Sequence, residues 1–221
     1  MIIAIDGPSG SGKSTISRMA AAKLGYTYID TGAMYRAVAL AALRAGLDIE
    51  DDAGLEKLCL DLDLQFGMVG DKQHIFLNGE DVEELIRTPE ISMAASAVSA
   101  RRPVRLAMVD LQRRIGRSGS VVMEGRDIGT NVFPEADVKI FLDASDGVRA
   151  QRRNKELLER GVAEDAEETL AKMKKRDAAD SGRELAPLLQ ADDAVSLDTS
   201  ALGLEEVFEA VLHIIEEAEK N

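Results

Sequence analysis

Gly7-Pro8-Ser9-Gly10-Ser11-Gly12-Lys13-Ser14-Thr15 carries the most specific chemistry in the chain, a G-x-x-x-x-G-K-[ST] loop directly behind the apolar run Ile2 to Ile5. Glycines permit backbone with positive φ, so successive N–H groups can turn inward around phosphate oxygens while the following helix points its positive end at them. Lys13 then reaches the β and γ phosphates, and Ser14 offers a hydroxyl to Mg²⁺. Thr15 opens a helix whose apolar positions Ile16, Met19 and Ala20 face a sheet. The ligand implied is a nucleoside triphosphate.

Phosphoryl transfer puts charge on the equatorial oxygens of the moving group, so such a site also needs cations and exclusion of water. The chain is acidic, with 40 Asp and Glu against 27 Lys and Arg and a net charge of -13, which makes its arginines informative. They recur at Arg101, Arg102, Arg105, Arg113, Arg114, Arg117 and Arg126, then at Arg149, Arg152, Arg153, Arg160, Arg176 and Arg183. Arg149, Arg152 and Arg153 share one helical face at i, i+3 and i+4, and Arg176, Asp180 and Arg183 follow at i, i+4 and i+7. Two such stripes could close over a triphosphate as a lid; the plain alternative is solvated faces paired with neighbouring carboxylates.

Two further segments sit where open α/β sheets bind ligands, at the ends of strands near the phosphate loop. In Asp30-Thr31-Gly32-Ala33-Met34-Tyr35-Arg36, Thr31 can hydrogen-bond an oxyanion and Arg36 can pair with a phosphate, while Asp30 or Thr31 can equally cap the helix. Glu124-Gly125-Arg126-Asp127 stands behind the third core strand, where Arg126 and Asp127 also read as a simple ion pair.

The elements that must position these groups are short β-rich runs at Ile2 to Ile5, Tyr26 to Ile29, Ser120 to Met123, Val138 to Leu142 and Ala194 to Leu197, separated mostly by helical patterns. That alternation predicts an α/β fold with a parallel five-stranded sheet flanked by helices. The last helix, with Leu204, Val207, Phe208, Val211, Leu212 and Ile215 on one stripe, packs on the sheet and carries no chemistry. Two regions interrupt the rhythm. Residues from about 61 to 92 alternate and turn as an inserted β-hairpin followed by a short helix. Residues from about 148 to 183, rich in charge and nearly without aromatics, read as a poorly packed, mobile helical lid. At 221 residues and 45% hydrophobic content, the chain 1–221 reads as one domain with these insertions.

Composition also narrows the partners. The acidic balance argues against a nucleic-acid binder, which needs a basic footprint. No stretch of about 18 apolar residues suits a membrane, no leader is evident, and the lone Cys59 suits a reducing compartment, so the expected location is cytoplasmic. His74 and His213 are far apart and suggest no metal site; a monomer is expected, since no extra apolar stripe stands out.

Taken together these residues resemble the bacterial cytidylate kinases, a branch of the nucleoside monophosphate kinases. The similarity runs over nearly the whole chain. It is carried by Ile5 to Thr15, Asp30 to Arg36, Ile86-Arg87-Thr88-Pro89-Glu90-Ile91, Glu124-Gly125-Arg126-Asp127-Ile128-Gly129-Thr130 and Lys139 to Ser145. The resemblance implies a P-loop NTPase core, a monophosphate-binding region in the insertion, and phosphorylation of CMP and dCMP by ATP with Mg²⁺ on Ser14. It implies cytosine contacts at Ser96, Arg105 and Asp127, with Tyr35 walling the base. It implies an acceptor phosphate on Arg36 and Arg126 beside Thr31, and sugar and phosphate contacts from Arg176, Asp180 and Arg183. Lys13, Arg36, Arg126, Arg153 and Arg176 are then the catalytic cations.

The rivals are another small kinase, acting on AMP, UMP or an acceptor such as shikimate, and a hydrolytic nucleotide switch. A GTPase of that second kind would carry N-K-x-D; the Asn154-Lys155 pair is followed by Glu156 and Leu157.

Overall fold

The structure, a computed structural model, describes residues 1–220. The chain divides into two compact units: Met1–Tyr28 together with everything from Gly116 onward, and Ile29–Ile115.

The first unit is built on a parallel sheet. Strand β1 (Ile2–Asp6) leads through the glycine loop into helix α1 (Lys13–Leu24), and β2 (Thr27–Asp30) follows. The sheet is completed by β6 (Val121–Gly125), β7 (Val138–Asp143) and β8 (Val195–Asp198), in the order β2-β6-β1-β7-β8. β1 lies between β6 and β7, so both its edges are paired, and the helices packed against it leave Ile3 and Ile5 0% exposed. Near-continuous apolar runs are what a doubly covered parallel sheet requires. The core joins Ile3, Ile5, Ile140 and Leu142 to Ile16 and Ala20 of α1 and to Val207, Val211 and Ile215 of α8 (Leu204–Glu219). Each fully buried aliphatic side chain contributes about 1.5–3 kcal/mol. The expected strands and the final helix are all present.

Helices α6 (Asp146–Glu159) and α7 (Ala166–Ser181) pack on one another in the region expected to be loose. Polar as well as apolar groups enter that packing. Besides Ala150, Leu157 and Met173, the buried set holds Arg149, Thr169 and Asp180. Thr169 Oγ1 donates to Glu164 Oε2 at 2.9 Å, and Asn154 Nδ2 donates to Glu164 O at 2.7 Å.

The second unit holds α2 (Thr31–Arg44), α3 (Asp52–Leu60), strands β3 (Leu64–Val69), β4 (Lys72–Leu77) and β5 (Glu80–Asp81), then α4 (Pro89–Ala100) and α5 (Arg102–Gly116), whose last residue falls to the first unit. The insertion has one strand more than the expected hairpin. Asn78 and Gly79 both take positive φ, 51° and 81°, the signature of a two-residue reversal, and so the chain turns back a second time into β5. Thr88-Pro89-Glu90-Ile91 is a helix start: Thr88 Oγ1 accepts from Ile91 N at 3.2 Å and Pro89 opens α4. Among the described residues no helix is long and apolar enough to cross a membrane.

Candidate functional site

In the first unit the loop between β1 and α1 is shaped by close backbone approach. Gly7 has φ +147°, and a Cβ there would lie 2.0 Å from Leu142 O. Gly10, at φ +76°, would place a Cβ 2.8 Å from Arg149 O. Neither position accepts a side chain. Lys13 is 6% exposed, and its ammonium donates to Pro8 O at 2.7 Å. Burial, with the nearby positive charge of Arg126, brings its pKa down to about 7.

Glu124, named in the sequence only as the first residue of a motif, turns out to have a role of its own. It ends the apolar run Val121-Val122-Met123 as a carboxylate 3% exposed. Ser14 Oγ donates to its Oε2 at 2.9 Å, and the Tyr28 hydroxyl donates to its Oε1. A buried acid closing a strand of apolar residues was the signal available. A hydroxyl and a carboxylate side by side are hard oxygen donors of the kind Mg²⁺ selects, so the residues present fit that ion.

Arg149 and Arg152, expected on the lid face, hold the glycine loop instead. Arg149 donates to Ser9 O at 3.0 Å and to Ala144 O at 3.0 Å, and it pairs with Asp177 and Asp146. These carboxylates keep its pKa above the usual arginine range in spite of burial. Arg152 donates to Thr199 Oγ1 at 2.9 Å and to Ser11 O at 3.4 Å. Arg153 points elsewhere and donates to Glu156 Oε2 at 2.8 Å. A helical wheel put the three on one face; only the structure shows that two of them end on main-chain carbonyls.

Arg126, Arg176 and Arg183 converge on one carboxylate. Asp180 is 1% exposed, accepts from Arg126 Nε at 3.0 Å and from Arg183, and lies 4.0 Å from Arg176 Nε. Burial alone would raise the Asp180 pKa; the three guanidinium groups outweigh it and hold the carboxyl below its ordinary value. Asp127, 3% exposed, begins a π-helical turn over Ile128–Val132.

In the second unit Asp30 is both cap and counter-ion. Its Oδ1 accepts from Ala33 N at 2.8 Å, while Oδ2 takes Arg36 at 2.9 Å and Arg87 at 3.2 Å. Burial pushes its pKa up, but the two arginines and the amide bring it down to about 2. Thr31 is the first helical residue and 3% exposed. Arg105, 4% exposed, stacks over the Tyr35 ring at 4.8 Å and donates to its hydroxyl at 2.9 Å and to Ser99 O at 3.1 Å. Ser96 lies on α4, where its carbonyl accepts from Ser99 Oγ at 2.9 Å.

A family model described as cytidylate kinase matches residues 3–217. The chain is similar to a cytidylate kinase of Geobacter sp. (strain M21), 53% identical over 217 residues that cover 98% of this chain and 93% of that one. It is similar to a cytidylate kinase of Syntrophotalea carbinolica, 53% identical over 220 residues, covering 100% and 94%. Among solved structures, an uncharacterized protein from Eubacterium ventriosum aligns with TM-score 0.53 at 13% identity, covering 100% and 99%, a likeness of fold.

Proposed function

Because the chain belongs to the cytidylate kinase family and is a nucleoside monophosphate kinase, we propose that it transfers the γ phosphoryl group of ATP in line to CMP and dCMP, giving ADP with CDP or dCDP. The observation that carries this reading is the glycine loop with buried Lys13 and the adjoining Ser14–Glu124 pair. Mg²⁺, held there by Ser14 and Glu124, would supply charge neutralisation on the donor phosphates.

Residues 7–15 cradle the donor with main-chain N–H groups and the α1 N-terminus, and Lys13 neutralises its β and γ oxygens. No protein base is needed, since the acceptor phosphate, with a second pKa near 6, is already dianionic at neutral pH. In the second unit Arg36 binds that phosphate, Thr31 donates a hydroxyl to it, Ser96 and Arg105 read the base, and Tyr35 walls it. In the first unit Arg126 shares the phosphate, Asp127 reads the base, and Arg176, Asp180 and Arg183 reach sugar and phosphates. Arg153 and Arg176 stabilise the moving group as residues 148–183 close and exclude water. Cytosine presents an amino donor with ring-nitrogen and carbonyl acceptors, a mixed edge that a carboxylate, a hydroxyl and a guanidinium can match.

The net charge of -13 supports a small-molecule enzyme without a nucleic-acid partner, and a cytoplasmic monomer completes the reading. The test is stoichiometry: ATP·Mg²⁺ with CMP should yield one CDP for each ADP, and chelation should stop both. ADP formation at the same rate without CDP would make the chain a hydrolase.

A further inference from the structure

The turn after β6 is held by contacts that the proposed chemistry does not use. Asp6, at the end of β1 and 5% exposed, accepts from Ile128 N at 2.9 Å through Oδ1 and from Gly129 N at 2.8 Å through Oδ2. One carboxylate straddling two consecutive amides fixes the direction in which the chain leaves Asp127. At the same glycine the stem of buried Lys139 closes in, with Cδ 3.2 Å from where a Cβ would stand. The Lys139 ammonium donates to Pro134 O and pairs with Asp193 at 2.7 Å, so the far end of the turn is fastened as well. Inside the turn Asn131 N and Val132 N both donate to Asp127 O, at 2.9 and 3.1 Å.

A side-chain contact also bears on Asp127 itself. Asn131 Nδ2 donates to Asp127 Oδ2 at 3.0 Å. The amide can face only this way, because an ionised carboxylate accepts and never donates. Asp6, at the end of β1, and Asp127, at the start of the turn, are both buried and each accepts hydrogen bonds. Asp6 takes its donors from the main chain, and Asn131 supplies one to Asp127.

We infer that Asn131 is a specificity-determining positioning residue, acting through Asp127 to favour cytosine over uracil in the acceptor nucleotide. The inference rests on the reading of Asp127 as a base contact. The two pyrimidines differ at ring position 4, an amine in one and a carbonyl in the other. A carboxylate held in place accepts from the amine and opposes the carbonyl. Uracil would be tolerated if Asp127 could swing away from the carbonyl. The Asn131 amide closes that route, since its N–H holds the carboxylate's rotation.

The experiment compares kcat/KM for CMP and UMP, with ATP·Mg²⁺, in the wild-type protein, Asn131→Ala, Asn131→His and Asp127→Asn, each checked by thermal melting. Loss of a charge-assisted hydrogen bond should lower the CMP-over-UMP ratio of Asn131→Ala by about tenfold, with KM for ATP unchanged. Asn131→His should recover most of the ratio, because Nδ1–H of histidine stands near the position of the asparagine amide nitrogen. If Asn131→Ala does not fold, Asn131→Leu against Asn131→His makes the same comparison of side chains without and with a donor. A loss of kcat/KM shared equally by both nucleotides, leaving the ratio in place, would show a merely structural residue and overturn the inference. An unchanged ratio in Asn131→Ala beside a collapsed one in Asp127→Asn would overturn it and leave the Asp127 reading standing. An unchanged ratio in Asp127→Asn would remove that reading and the inference together.

Discussion

The glycine loop of the first unit and the arginines Arg36, Arg87 and Arg105 of the second are held by different means. In the first, the glycine loop is fixed by its own main chain: Lys13 rests on Pro8 O, and Arg149 and Arg152 clasp Ser9 O and Ser11 O. In the second, side chains hold side chains. Asp30 binds Arg36 and Arg87, and Tyr35 carries Arg105. Main-chain carbonyls and amides are present whatever the sequence, so a loop built from them tolerates any chemistry that keeps its backbone path. A side-chain pair is lost with either partner, and a buried survivor is then destabilising. A triphosphate is common to many reactions, whereas an acceptor must be told from its relatives; the second kind of construction suits that task.

Changes in the two units should therefore fail differently. The largest effect is expected at Lys13→Ala, where kcat should fall by about a thousandfold or more with the melting temperature nearly unchanged, because Arg149 and Arg152 still hold the loop through Ser9 O and Ser11 O. Turnover close to wild type would remove Lys13 from the transfer step. Arg149→Ala attacks the same loop from outside. It strips the clasp from Ser9 and leaves Asp177, with a side chain 17% exposed, without its partner. A loss of about 3 kcal/mol in urea unfolding is expected.

Acid titration probes the second unit. The folded pKa of Asp30, about 2, lies below the unfolded value of 3.8. Its stabilisation is therefore complete above pH 4 and drains away as pH falls toward 2, about 2 kcal/mol in all. Asp30→Asn should flatten the acid limb of a stability-against-pH curve, and an unaltered limb would place the acid sensitivity elsewhere. The smallest effect is expected at Arg114→Ala. That residue and Asp110 form a pair with side chains 70% and 72% exposed, and no resolvable shift in Tm should follow.

The same contrast explains what the sequence discloses. The loop from Gly7 to Thr15 is legible because main-chain geometry demands glycine at particular positions, and β1, β6 and β7 are legible as continuous apolar runs. The Asp30–Arg87 pair joins residues 57 apart, and Arg105 meets Tyr35 across 70. No local period carries such pairs: the sequence offers Asp30 as a helix cap and Arg105 as one arginine among many, and the roles of Tyr35 and Arg105 come through family resemblance. Glu124 was in view as part of a motif, but its tie to Ser14 spans 110 positions. The lid stripe misled for a related reason: spacing on a helix gives a shared face and does not say whether that face meets solvent, phosphate or a carbonyl. Asn78-Gly79 was readable in principle, since that pair favours a two-residue reversal and with it the third strand.

The acceptor proposed for this kinase is a cytidine monophosphate. The measurement that tests it most directly is ADP formation from ATP·Mg²⁺ with CMP, dCMP, UMP, AMP and no acceptor, run side by side. CMP and dCMP should stimulate turnover far above the others. Equal or greater stimulation by AMP or UMP, or a rate indifferent to acceptor, would contradict the account.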